Sequence, residues 1–168
     1  MKNNISLIGM PAAGKSSVGV ILAKYMNMNF VDTDILIQQE KGKMLFELIN
    51  EFGLEGFCRI EEEVVSGINP DCCVIATGGS VVLSEKAMMH LKSIGEIVYI
   101  ETPLHVVSKR LSDLNQRGVV YKKGQTIEDI YRERVPLYEK WADLKVDSSS
   151  GRPEDVMNAI IKTVSIDR

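Results

Sequence analysis

The chain is short of the residues that most often announce metal or redox chemistry. Its three cysteines, Cys58, Cys72 and Cys73, are odd in number and two are adjacent. That arrangement suits neither a disulfide framework nor a zinc site. Cys72 and Cys73 read as small residues at a strand edge. The two histidines, His90 and His105, stand apart without ligand-like neighbours. No apolar run approaches the length needed to span a bilayer. The opening Met1-Lys2-Asn3-Asn4 enters an apolar stretch at once, which leaves no room for a signal peptide. No basic stripe is present and the net charge is −3, which argues against general nucleic-acid binding. Repeats, low-complexity tracts and linkers are also missing. The expectation is a cytoplasmic chain of one domain, its 168 residues enough to bury about 70% of the unfolded surface.

What is present is a phosphate-binding loop. Gly9-Met10-Pro11-Ala12-Ala13-Gly14-Lys15-Ser16 fits G-x-x-x-x-G-K-[ST]. The glycines let the backbone wrap so that successive amide N–H groups point inward as an anion nest. A following helix adds the positive end of its dipole to the same spot. Lys15 is then placed to reach β- and γ-phosphates, and the Ser16 hydroxyl to ligate Mg²⁺. The setting agrees. Residues 5–8 read as a buried strand before the loop, and residues 16–26 as a helix after it, with Val18, Ile21, Leu22 and Tyr25 on one stripe.

Beyond the loop, short apolar segments alternate with amphipathic ones. Strands are expected at 29–31, 73–76, 97–100 and 144–146. A polar helical region follows residue 34 and breaks at Gly42, and a helix over 45–52 ends at Gly53. Others cover about 55–68, 84–94 with Ser84 as cap and Gly95 as stop, and 104–111. The last two cover 126–141, opened by Thr126 and Asp129, and the stretch from Pro153 onward. This alternation implies α/β class: a three-layer α/β/α arrangement with a five-stranded parallel sheet. Ligands in such sheets bind at the carboxyl ends of the strands. The loop 9–16, residues 32–34 and residues 78–80 each lie just past a strand end, so the fold gathers them into one crevice.

Phosphoryl transfer needs charge neutralisation, positioning and a carboxylate near the acceptor hydroxyl. Asp32 and Asp34, one residue apart in an extended segment, would point the same way. One can serve a metal shell and the other the substrate; Asp is also a favoured helix N-cap, and Asp34 is the better placed for that. Gly78-Gly79 after a strand is either a plain turn or a place of close ligand approach. Among the arginines, Arg117 stands out in the longest polar connection, residues 112–125, whose composition fits a closing lid. Glu61-Glu62-Glu63 reads as an ion-paired helix face, although Glu61 can orient an arginine. Trp141 reads as packing. An Asn-Lys-x-Asp motif for guanine is absent.

Taken together these residues resemble the shikimate kinase family over nearly the whole chain. The marks are the phosphate loop, Asp32-Thr33-Asp34, Phe57 followed by Arg59-Ile60-Glu61-Glu62, and Ala76-Thr77-Gly78-Gly79. Further on stand Arg110, Arg117 and Arg134-Val135-Pro136-Leu137-Tyr138-Glu139. The resemblance implies an ATP-dependent, Mg²⁺-assisted small-molecule kinase with a lid near 112–125 and a substrate-binding helical region near 33–60. By it, Gly9, Ala12, Ala13, Gly14, Lys15, Ser16 and Ser17 hold the nucleotide. Arg110 and Pro153 border the adenine, and Arg117 reaches the phosphates. Asp34, with Lys15 and Arg117, is catalytic; Ser16 and Asp32 support the metal. Cys58, Arg59, Gly78, Gly79, Ser80 and Arg134 surround the acceptor, with Arg134 on its carboxylate. The expected partner is a small-molecule acceptor, shikimate first, with neither nucleic acid nor membrane, and the expected state is a monomer.

The chain departs from the family pattern mainly on the acceptor side. Cys58 stands where the family has an arginine, and Arg59 is turned about 100° from that position on a helix. Ser80 replaces the third glycine of a run, Gly118-Val119-Val120 replaces Pro-Leu-Leu, and Ala12 stands where many members have glycine. Two alternatives stay open: a related kinase with a different hydroxylated acceptor, and a nucleotide-binding relative without catalysis. A nucleoside kinase is a further rival and needs a base-reading pocket.

Overall fold

In the computed structural model of the chain, residues 3–111, 119–122 and 124–164 are described. Five strands form one sheet: β1 (Asn4–Ile8), β2 (Asn29–Asp32), β3 (Cys73–Ala76), β4 (Gly95–Glu101) and β5 (Leu144–Asp147). Their order is β2-β3-β1-β4-β5 and every pairing is parallel. The three-layer expectation therefore holds.

The strands are short, apolar and alternate their side chains between two covered faces, as a sheet buried on both sides requires. Ile5, Leu7, Val74, Val98 and Ile100 point to one face, where α1 (Lys15–Met26) contributes Val18 and Leu22 and α7 (Pro153–Thr163) contributes Val156 and Ile160. Ile8, Ile75, Ile97 and Tyr99 point to the other. There they meet Val65 of α3 (Leu45–Gly67), Met88 and Leu91 of α4 (Glu85–Ile94), Val107 of α5 (Leu104–Arg110), and Ile130 and Tyr138 of α6 (Ile127–Trp141). A third cluster joins α2 (Thr33–Lys41) to both parts of α3 through Ile37, Leu45, Leu48 and Phe57, closed by Val120. The Asn4 side chain fastens the amino end of the sheet. It donates to the carbonyls of Pro70 (2.8 Å) and Ile94 (3.0 Å) and accepts from the Cys73 amide (3.0 Å).

Local signals explain most element ends. Gly53 takes φ 68°, ψ 179° and divides α3 into two helical runs, as its position implied. Thr126 and Asp129 make the reciprocal cap of α6, and the Ser84 hydroxyl accepts the Ala87 amide at 3.1 Å. Gly95 is not a left-handed stop. Its backbone is extended and begins β4, and a Cβ there would lie 2.3 Å from the Asn4 carbonyl oxygen, so close strand approach is what requires glycine. β4 consequently starts two residues before the expected 97. A 3-10 turn, Val81–Leu83, follows residues 78–80 and had no counterpart in the sequence reading.

The register puts Leu7 and Asp32 both opposite Ala76, and Ile8 opposite Tyr99. The segments that leave β1, β2 and β3 therefore start from one rim of the sheet.

Candidate active site

On that rim lies a cavity of about 560 Å³. The phosphate loop forms one wall. Gly9 takes φ 149°, and a Cβ on it would sit 2.7 Å from the Ile100 carbonyl. Gly14, at φ 93°, caps α1, and the Ala13 amide donates to the Met10 carbonyl at 3.1 Å. Ala12 is in the left-handed region at φ 60°, a conformation that costs a residue with a Cβ about 1–2 kcal/mol. Here lies the physical meaning of the glycine that the resemblance places at this position.

Lys15 is the first residue of α1 and is buried. Its Nζ donates to the carbonyls of Gly9 and Met10, each at 2.8 Å, and so curls over the loop that it serves. Burial lowers its pKa to about 8, against the opposing pull of Asp34. Ser16 Oγ donates to Asp32 Oδ2 at 2.6 Å. Two hard oxygen donors side by side at the phosphate end are the donor chemistry that Mg²⁺ takes. These residues fit the ion.

The two aspartates take different posts from those expected. Asp32, not Asp34, is the N-cap of α2, and its Oδ1 accepts the Asp34 (3.0 Å) and Ile35 (3.3 Å) amides. Asp34 lies in the first helical turn and so is not paired with Asp32 by strand alternation. It lines the cavity, and burial raises its carboxyl pKa to about 6, helped by the Asp32 charge and opposed by Lys15.

The turn after β3 forms the opposite wall. Gly78, Gly79 and Ser80 all line the cavity. Gly78 leaves room for two carboxyls: a Cβ would lie 2.4 Å from Glu61 Oε1 and 2.8 Å from Asp34 Oδ1, so one or both would have to shift. Gly79 packs on Pro11, whose Cδ would be 2.7 Å from such an atom. Arg134 of α6, about 2% exposed, reaches the cavity, and its Nη2 donates to the Val120 carbonyl. Among the described residues its Nε and Nη1 are buried with no hydrogen-bond partner at ordinary distance, although the Tyr138 hydroxyl lies close enough to interact with the guanidinium. At the other end Arg110 Nη1 donates to the Ala12 carbonyl at 3.0 Å, with Arg152 and Pro153 beside it and Ser17 below.

Neither Cys58 nor Arg59 lines this cavity, although Cys58 lies near enough to Glu61 and Arg134 to feel their charges. Cys58 is half-buried against the α2–α3 cluster, and Arg59 lines a separate cavity of about 470 Å³ with Lys41, Lys43 and Phe52. Its Nε donates back to the Glu55 carbonyl at 3.4 Å. The helical offset decides this: Phe57 and Glu61, four apart, face the site, whereas Arg59 faces away. Arg117 and most of the expected lid lie outside the described residues. The residues just beyond, Val119 and Val120, are buried in the cavity wall.

Sequence reasoning under-read the residues behind the wall. Glu61 departs from the expected ion-paired helix face; it is about 2% exposed, and its Oε2 accepts from Ser80 Oγ at 2.6 Å. Its neighbours diverge, Glu62 accepting from Ser84 Oγ at 2.6 Å and Glu63 standing 3.9 Å from Lys41. The signal was the four-residue step from Phe57 to Glu61. Tyr138 and Thr33, whose hydroxyls contact Gly79 O (2.6 Å) and the Gly78 amide (3.3 Å), stood within the marks of the resemblance but were given no role there.

A family model described as shikimate kinase matches residues 11–165. The chain belongs to the shikimate kinase family. The shikimate kinase of Thermodesulfovibrio yellowstonii is 38% identical over 162 residues, which cover 95% of this chain and 93% of the relative. Among solved structures, shikimate kinase from Acinetobacter baumannii in complex with shikimate superposes with a TM-score of 0.87 at 27% identity, covering 95% and 91% of the two chains. That from Aquifex aeolicus gives 0.81 at 32% identity, covering 95% and 94%. Family membership makes this rim the place to look for kinase chemistry.

Proposed function

We propose that the protein transfers the γ-phosphoryl group of ATP to a ring hydroxyl of shikimate, yielding shikimate 3-phosphate and ADP. One observation carries the reading. A phosphate loop with its buried lysine, a partly buried aspartate and a buried arginine, two of whose nitrogens meet no partner among the described residues, face a single cavity. The loop end suits the nucleotide phosphates, with Arg110, Arg152 and Pro153 toward the base. The Arg134 end suits the acceptor's carboxylate, because planar guanidinium groups match carboxylates in two-point contacts.

Between them, Asp34 holds the acceptor hydroxyl and takes its proton as the oxygen attacks the γ-phosphorus. The bond to the bridging oxygen breaks and ADP leaves. A carboxyl with a pKa of about 6 is ionised at neutral pH yet basic enough to share that proton. Lys15 leaves its carbonyl partners to meet the phosphates, and Arg117, by family resemblance, adds a second cation from the 112–125 lid. Mg²⁺, when held by Ser16 and Asp32, would supply further charge neutralisation. The region around 33–60 forms the acceptor side, and the protein acts as a monomer in the cytoplasm.

A different hydroxylated acid is the second reading, favoured by one observation: Cys58 and Arg59 leave Arg134 as the one arginine lining the acceptor end among the described residues. ADP release from Mg²⁺·ATP with shikimate, beside a panel of other hydroxy acids, separates the two. Asp34→Asn should lower turnover by roughly 10²–10⁴-fold with nucleotide binding nearly unchanged. Turnover that survives this change removes Asp34 from the mechanism.

A further inference from the structure

Two buried groups of opposite charge share the acceptor end without meeting. Glu61 and Arg134 feel each other's field, yet no ion pair joins them among the described residues. Among the described residues Arg134 Nε and Nη1 meet no partner at hydrogen-bond distance, and neither does Glu61 Oε1 on the Gly78 side. Left to themselves, a carboxylate and a guanidinium in so dry a place would turn toward one another, since each gains charge-assisted hydrogen bonds. What holds Glu61 elsewhere is the Ser80 hydroxyl, 2.6 Å from Oε2 and itself buried.

We propose that Ser80 is a positioning residue that keeps the Glu61 carboxyl off Arg134, so that the guanidinium remains available for the acceptor's carboxylate. This rests on the reading of Arg134 as the acceptor's anchor. Ser80 does not touch the reacting atoms; it acts through Glu61. The groups that face Glu61 are Asp34 from α2, Lys15 from the start of α1, Arg134 from α6 and Ser80 from the turn after β3, with Cys58 on its own helix. Burial, the largest influence, holds the Glu61 carboxyl up at about 7. Near neutral pH the side chain is therefore partly a neutral acid, which leaves Arg134 uncancelled. Acceptor binding should weaken as pH rises through that value and Glu61 gains its charge.

The test combines Ser80→Ala, Ser80→Gly, Glu61→Gln and the Ser80→Ala/Glu61→Gln double variant. Acceptor KM and ATP KM are measured from pH 5.5 to 8.5, and the Glu61 carboxyl is followed by ¹³C NMR. The parent protein should show an acceptor KM that climbs above about pH 7. Ser80→Ala and Ser80→Gly should raise acceptor KM on the order of tenfold at pH 6, flatten its pH dependence and leave kcat and ATP KM in place. In both, Glu61 should titrate at or below the ordinary value of 4.5 as it pairs with Arg134. Glu61→Gln should give a low, flat acceptor KM, and the double variant should match it. An unchanged titration of Glu61 in the Ser80 variants overturns the proposal, as does a KM rise that persists in the double variant. The NMR titration needs no turnover, so an inactive parent with shikimate counts against the functional reading and leaves this test intact.

Discussion

The Tyr138 hydroxyl donates to the Gly79 carbonyl at 2.6 Å, and Tyr138 lies one helical turn after Arg134. The turn after β3 that lines the cavity and the helix that carries Arg134 are thus pinned together. Tyr138 also stacks on Tyr99 of the central sheet, ring centres 5.2 Å apart, which fixes the unit to the core. Tyr138→Phe keeps the ring but leaves a carbonyl without its donor. We expect a loss of about 1–3 kcal/mol in urea unfolding, and a rise in acceptor KM with ATP KM unmoved. A variant that loses stability alone, with KM unchanged, would reduce the contact to a structural one.

Ala12 supplies a prediction of the opposite sign. Its φ of 60° is strained for a residue with a Cβ. Ala12→Gly relieves that strain while adding freedom to the unfolded chain, and the first effect is the larger. The variant should gain about 1 kcal/mol, or roughly 2–4 °C in melting temperature for a chain of this size. Nucleotide affinity should change little, because the Ala12 carbonyl that meets Arg110 is backbone. A lower melting temperature would show that the loop relaxes around alanine.

How far the sequence carried the reading depends on the range of each signal. The phosphate loop, the alternation of apolar strands with amphipathic helices and the caps at Ser84 and Thr126 are local patterns, and all were legible. The aspartates were harder, because whether Asp32 or Asp34 caps α2 turns on a one-residue shift in where the strand stops. Gly95 announced itself as glycine but not why; its reason is the Asn4 carbonyl, 91 positions earlier in the chain, at 2.3 Å from an added Cβ. Glu61 was legible as a residue able to orient an arginine, but its burial and its partner were not, for the same cause. Its role comes from Ser80 and Gly78, which only the packing of α3 under the β3 turn brings to it.

Asn4 illustrates that long-range kind of contact in the scaffold. One side chain serves Pro70, Ile94 and Cys73 at the amino edge of three strands. Asn4→Ala would leave two carbonyls and one amide without their partner in a place water hardly reaches. The expected cost is about 2–4 kcal/mol by chemical denaturation. Kinetic constants should hold at temperatures where the variant stays folded, since the cavity lies at the other end of the sheet.

The desolvated carboxyls should make stability fall with pH through neutrality. Burial raises the Asp34 carboxyl from 3.8 to about 6 and Glu61 from 4.5 to about 7. The folded state therefore holds those two protons more tightly than the unfolded chain. Their contribution is fully present below the unfolded values and is lost as pH climbs through about 6 and then about 7. Lys15 acts in the next window. Burial lowers it from 10.5 to about 8, so the unfolded chain holds the extra proton above that pH, and stability recovers as pH rises toward the unfolded value. Melting of the ligand-free protein should thus show a minimum near pH 7–8, several degrees below its value at pH 5. The Asp34→Asn/Glu61→Gln double variant, whose amides do not ionise, should lose most of the decline between pH 5 and 7.5. A parent protein that is most stable at pH 7–8 would mean that the carboxyls are better solvated or better paired than their burial implies.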